Sequence, residues 1–232
     1  MQPSDQIAAL PFDQGLFGQL RRNAAEHWRA YVQHPFVTAL GDGSLPPAAF
    51  RRYLTQDYLF LIQFARAYAL AGYKSARLAD LRTAAAGMRA IVDVEMQLHV
   101  AYCAGWGLNE TDMATEPEAM ETIAYTRFVL DRGLAGDLLD LQVALAPCII
   151  GYAEIGERLA RQPAAGNPYA EWIATYAGAD YRAAARSALA ALDRLAAERG
   201  AAARHADLAA TFVAATQLET AFWQMGWAAG AN

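Results

Sequence analysis

Cys148 lies in the segment "ALAPCIIGYAEIG", residues 144–156, with Tyr152 four residues on. A spacing of four puts both side chains on one face of a helix. A thiol becomes a strong nucleophile once it loses its proton. Pro147 lacks an N–H and tends to start or kink a helix, so Cys148 is expected beside freed backbone groups or at a helix N-terminus, where the thiolate is favoured. The alternative is a buried structural cysteine, since free thiols are commonly core residues. Two acids raise the same question. Asp57, in "YLTQDYLFLIQFARA", has Tyr53 four residues before it and Phe60, Leu61 and Phe64 three, four and seven after. Glu219, in "QLETAFWQM", has Phe222 and Trp223 three and four residues after. An unpaired charge against aromatic surface is costly. Each acid therefore either reaches solvent or an arginine such as Arg66, or lines a pocket for a flat polar ring.

Other chemistries fit less well. Di-iron helical bundles carry a Glu-x-x-His motif on each of two helices, whereas Glu95 and His99 stand four apart with no second copy, and His27, His34 and His205 are dispersed. A structural hydrogen bond is the simpler role for that pair, and no metal is expected. His27 and His34 lack the neighbours of a haem ligand; His34 is expected to bond the last carbonyls of its own helix. Cys103 and Cys148 form no CxxC pair and no zinc-spaced set. With 19 basic and 24 acidic residues, the net charge of −5 argues against nucleic acid as a partner. The N-terminal "MQPSDQIAALPFDQ" has no basic and no apolar region, so no signal peptide is expected. No uninterrupted apolar run of membrane-spanning length is seen. Free thiols then suit a reducing cytoplasm.

The elements that must position these residues read as helices. Leu16, Leu20, Ala24, Trp28 and Tyr31 form one apolar stripe over residues 13–34, predicting a single helix of about six turns. Gly41 and Gly43 then break the chain, with Ser44 as cap before Pro46 or Pro47 near a helix start. A long helix is expected over residues 48–76, and another over 78–106 with a break near Ala79. "GLNETDMATEPEAM" is expected to be a polar loop. Two helices follow, separated at Gly133–Gly136. "PAAGNPY" is a loop, and three more helices close the chain. With 55% apolar residues in 232, no strand alternation and no long linker, the expectation is one all-α domain, 1–232, of seven to nine helices.

Several segments together resemble the TenA family (thiaminase II, aminopyrimidine aminohydrolase) nearly end to end. They are "HPFVTALGDGSLPPAAFRRYLTQDYLFLIQFARA", "EMQLH", "AYT", "LAPCIIGYAEIG", "EWIATYAG" and "ETAFWQM". The resemblance implies a single-domain helical bundle of the haem-oxygenase-like type, without haem or other cofactor, usually a homotetramer. It implies hydrolysis of aminomethyl-aminopyrimidine to hydroxymethyl-pyrimidine and ammonia in thiamin salvage, and slower cleavage of thiamin. Carried over to this chain, Cys148 is the nucleophile and Glu219 the acid that protonates the pyrimidine ring. Asp57 holds the aminopyrimidine edge, Tyr125 places a hydroxyl near the thiol, and Tyr152, Tyr176 and Phe222 line the pocket. Phe60 departs from the pattern, standing where well-studied members carry a tyrosine, and bears on substrate range. The rivals are another enzyme of the same fold, either a cofactor-free oxidase or a di-metal oxygenase, and a regulatory or pyrimidine-binding protein without turnover. The oxidase would want several His and Arg residues in its pocket, and the oxygenase a His/carboxylate ligand set; neither is visible.

Overall fold

Proline and glycine punctuate the first third of the chain, and the computed structural model follows them. It describes residues 9–231; residues 1–8, where no signal peptide is expected, and residue 232 lie outside the described residues. Helices α1 (Gly15–Asn23) and α2 (Ala25–Val32) divide the stripe expected to be one helix. The division is slight. Ala24 N–H still donates to Leu20 O at 3.0 Å and Trp28 N–H to Ala24 O at 2.8 Å. Leu16, Leu20, Ala24, Trp28 and Tyr31 therefore remain on one buried face. A short helix α3 (Pro35–Asp42), absent from the sequence expectation, begins at Pro35 and ends at Gly43, whose φ of +82° suits glycine. His34 is its N-cap: Nδ1 accepts from the Phe36 N–H at 3.2 Å. It caps the start of this helix rather than the carbonyl end of the preceding one.

Pro47 opens α4 (Pro47–Lys74), with Pro46 rather than Ser44 at the cap position; Ser44 instead donates its N–H to Asp42 Oδ1 at 2.9 Å. The chain turns at Ser75 into α5 (Leu78–Ala90), runs through one π-helical turn (Ile91–Glu95), and continues as α6 (Met96–Ala104). The segment expected to be a polar loop contains α7 (Glu110–Thr115). Asn109 and Asp112 form a reciprocal capping box there, which satisfies the free N–H groups of so short a helix. Then come α8 (Met120–Ala135), α9 (Leu138–Ala160), α10 (Ala170–Ala177), α11 (Ala179–Glu198), a short 3₁₀ turn, and α12 (His205–Ala229). The described residues thus hold more helices than expected, because the chain breaks at Ala24 and because α3 and α7 form where no helix was expected.

Helices α4, α8, α9 and α12 pack on one another, with α10 and α11 covering α9, α5 covering α4, and α2 against α12. Helix α9 sits at the centre. It is long and apolar enough to cross a bilayer, yet 83% of its most apolar window is buried inside the fold, as a core helix requires. Two of its glycines set how closely it is approached. A Cβ on Gly151 would lie 2.4 Å from a ring carbon of Tyr31, and one on Gly156 would lie 2.6–2.7 Å from the backbone of Tyr176 and Ala177. Only a bare backbone lets α10 come that near.

Candidate active site

The four central helices and α10 bring the sequence candidates to one place. Cys148 and Tyr152 come from α9, Asp57 and Phe60 from α4, Tyr125 from α8, Tyr176 from α10, and Glu219 and Phe222 from α12. All are buried except Cys148, which is half-buried. Cys148 keeps part of its exposure in the middle of the core helix while packing against the core. Pro147 lies inside α9 as its tenth residue, so Cys148 is not at a helix N-terminus, and the expected local activation of the thiolate is absent. Pro147 O instead receives the Tyr31 hydroxyl at 3.2 Å. Burial pushes the Cys148 thiol well above its usual range, and the carboxyls of Glu219, Glu95 and Asp57, in that order, push it further.

Each of these carboxyls has its own partner. Tyr125 donates its hydroxyl to Glu219 Oε1 at 2.9 Å. Burial is the main reason the Glu219 carboxyl is pushed up to about 8; the Asp57 charge adds to it and the Tyr125 bond opposes it. Tyr176 donates to Glu95 Oε1 at 3.2 Å. Burial, then the nearby Asp57 charge, lifts Glu95 to about 7. Asp57 Oδ2 lies 2.6 Å from His99 Nε2, and His99 Nδ1 lies 2.8 Å from the carbonyl oxygen of Glu95. A carbonyl only accepts, so Nδ1 carries a hydrogen. The contact between Nε2 and Asp57 therefore holds one further proton, shared between a base and an acid. The Asp57 bond and charge outweigh burial and raise the His99 imidazole. Asp57 does not reach Arg66, which donates to Gln63 Oε1 at 2.9 Å.

Aromatic rings wall the cluster. Phe60 sits 5.1 Å from the Tyr125 ring and 5.5 Å from Phe222, and stacks on Phe64 at 5.2 Å. Tyr152 lies 5.0 Å from Tyr176 and 5.3 Å from Trp223. Trp172 Nε1 donates to the Tyr53 hydroxyl at 3.2 Å. Glu95, His99 and Tyr53 belong to the cluster although the sequence did not mark them as site residues. The signal was present for two of them: Glu95 and His99 were visible as a helical pair, but their partners Tyr176 and Asp57 are 81 and 42 positions away. Cys103, by contrast, is fully buried with no carboxyl ring, and burial pushes its thiol up to about 11. Chemically, the arrangement offers one nucleophile, two carboxyls able to hold or release a proton near neutrality, and a carboxyl–imidazole pair suited to an N–H-bearing edge.

The profile of the TENA/THI-4/PQQC family matches residues 21–229. The chain is 36% identical over 211 residues to the aminopyrimidine aminohydrolase of Halalkalibacterium halodurans, covering 90% of this chain and 93% of that one. It is 39% identical over 212 residues to a protein of Haemophilus influenzae, covering 90% and 97%. A crystal structure from a Silicibacter species, described as a TenA family transcription regulator, superposes with a TM-score of 0.86 at 46% identity, covering 91% of this chain and 96% of that one. These matches run through every helix that carries a site residue, and the chain belongs to the TENA/THI-4/PQQC family.

Proposed function

We propose that this protein is an aminopyrimidine aminohydrolase of thiamin salvage, hydrolysing aminomethyl-aminopyrimidine to hydroxymethyl-pyrimidine and ammonia, with thiamin as a second substrate. The observation that carries this reading is one half-buried thiol that feels the charge of three carboxyls, each with a separate hydrogen-bond partner. Pyrimidine is electron-poor, and a proton on a ring nitrogen makes the adjacent carbon open to attack by sulfur. Glu219, which holds its proton near neutrality, is the donor to that nitrogen. Asp57, oriented by His99, accepts hydrogen bonds from the aminopyrimidine edge. The Cys148 sulfur adds to the ring, the exocyclic amine departs, water adds at the methylene carbon, and sulfur leaves as the ring regains aromaticity. Tyr152, Tyr176, Phe60 and Phe222 supply flat walls for the ring. These steps call for a nucleophile and proton carriers, with no part for a metal or redox group.

The same reading includes a cytoplasmic homotetramer. In support, Tyr73, Leu78, Leu81, Val92 and Val94 stay 45–88% exposed along the end of α4, α5 and the π-helical turn, an apolar strip of the kind that copies of a chain cover in assembly. A binding or regulatory protein would hold the pyrimidine without turnover. Incubation with aminomethyl-aminopyrimidine separates the two: the wild-type protein should release ammonia, and Cys148→Ser should release less than a tenth as much per unit time. Retention of more than that, a barrier change under about 1.4 kcal/mol, would exclude covalent catalysis by this thiol. Cys103→Ser should remain active.

A further inference from the structure

The hydrolysis moves more protons than Glu219 can carry while it serves the ring nitrogen. The Cys148 thiol must give one up before its sulfur can attack, and burial keeps that proton on. The water that replaces the amine must give up another. Asp57 is committed to His99, and Glu219 has Oε1 engaged by Tyr125. Glu95, like Glu219, has one oxygen engaged by a tyrosine hydroxyl, here Tyr176 at Oε1, but it has no task at the ring nitrogen. It is also partly exposed, as Cys148 is, while Asp57, His99, Tyr125, Tyr152, Tyr176 and Glu219 are buried. Geometry links the two groups: Tyr176, which bonds Glu95, packs at 5.0 Å against the ring of Tyr152, one helical turn from Cys148, and the Glu95 charge acts on the thiol.

Given the hydrolase reading, on which this rests, we infer that Glu95 is a second catalytic acid–base, serving the thiol, the departing amine and the attacking water, directly or through one water molecule. In the first half, the S–H proton passes to the Glu95 carboxylate as the C–S bond forms, and Glu219 gives its proton to the ring nitrogen. The substrate amine, bound as an ammonium, leaves with the C–N electron pair as ammonia. The ring nitrogen returns its proton to Glu219, and ammonia takes the proton from Glu95 and leaves as ammonium. In the second half, water forms the C–O bond, its proton goes to Glu95, and Glu219 again protonates the ring nitrogen. The C–S bond then breaks with its pair on sulfur, Glu95 returns a proton to the thiolate, and Glu219 recovers its own. Every group ends as it began. A carboxyl with a midpoint of about 7 can both take and give a proton at neutral pH.

The test compares wild type with Glu95→Gln and Glu95→Ala on aminomethyl-aminopyrimidine, reading ammonia release across pH. The kcat profile is the measurement, since it is blind to titration of the free substrate. Groups that act on Glu95 or feel its charge are Asp57, His99, Tyr176, Tyr181, Tyr68 and Cys148, and they remain in both variants. The wild-type kcat should fall on the acid side as Glu95 is protonated. Glu95→Gln should lose about 100-fold or more in kcat together with that acid limb. Added formate should restore at least tenfold to Glu95→Ala in a saturable way, which a structural role for Glu95 would not produce. A Glu95→Gln variant within about threefold of wild type overturns the inference. So does an acid limb unchanged in the variants, or a folded Glu95→Ala variant that formate does not revive. These outcomes leave wild-type turnover intact; a wild-type protein that releases no ammonia overturns the hydrolase reading, and the inference with it.

Discussion

Glutamine at position 219 keeps the shape of the side chain and removes its proton. Glu219 is 2% exposed, and its carboxyl sits at about 8 against an ordinary 4.5. At about 1.4 kcal/mol per pH unit, the difference corresponds to ~5 kcal/mol between the two protonation states. That is a ceiling, because local opening and water entry relieve part of it. The sign follows from which state holds the proton. Between pH 4.5 and about 8 the folded protein retains a proton that the unfolded chain has released, so the stability this group contributes is complete below 4.5 and is lost as pH rises through 8. Glutamine does not titrate, and its amide oxygen can still accept from Tyr125. Stability of wild type relative to Glu219→Gln should therefore fall by several kcal/mol, and by no more than ~5, between pH 5 and pH 9. Glu95 and His99 titrate in both proteins and largely cancel in the difference. Urea unfolding at five pH values between 5 and 9 measures it. Curves that run parallel within about 1 kcal/mol, less than one pH unit's worth, would mean that Glu219 holds no proton near neutrality and cannot be the ring acid. Turnover should agree: the variant should lose about 100-fold or more in kcat and change far less in affinity for hydroxymethyl-pyrimidine.

Two further substitutions test the walls of the site. Phe60→Tyr adds a hydroxyl beside Tyr125 and Phe222; it should be tolerated and should change the ratio of aminomethyl-pyrimidine to thiamin turnover by a few-fold, the scale of one net hydrogen bond at about 0.5–1.5 kcal/mol. An unchanged ratio with a lowered melting temperature would show instead that residue 60 only packs. Gly156→Ala places a Cβ against the backbone of Tyr176 and Ala177, which cannot rotate out of the way. It should cost about 1–3 kcal/mol in stability and, by shifting Tyr176 from Glu95, reduce kcat by more than the melting temperature suggests; normal kcat in a destabilised variant would detach Tyr176 from catalysis.

Short-range order in this chain carries much of its fold. The stripe from Leu16 to Tyr31 is buried as its spacing requires; Asp57 is enclosed because α4 is buried on every side from Tyr53 to Leu61, and Glu219 because it shares a buried face with Phe222 and Trp223. What local spacing does not carry is the identity of partners. Asp57 could have met Arg66 one helix face away, but it meets His99, 42 positions on. Pro147 reads as a helix start and sits mid-helix, because burial of α9 on several sides outweighs one lost hydrogen bond. The break at Ala24 has no proline or glycine to announce it. Asn109 and Asp112 did announce α7, at capping-box spacing, inside a segment whose polarity suggested a loop.

The π-helical turn at Ile91–Glu95 makes chain length, and not only residue type, a property of the site. Its hydrogen bonds close around five residues where an α-helix uses four, so it holds one residue more than the regular ladder. Deleting a residue there would let the ladder close in the ordinary way and turn α5 by about 100° relative to α6. His99 and Asp57 could keep their contact while Glu95 swung away from Tyr176. Relatives are therefore expected to vary more freely in which residues fill this turn than in how many, and an alignment gap across it would separate proteins that share the thiol and Glu219 from those that share the third carboxyl as well.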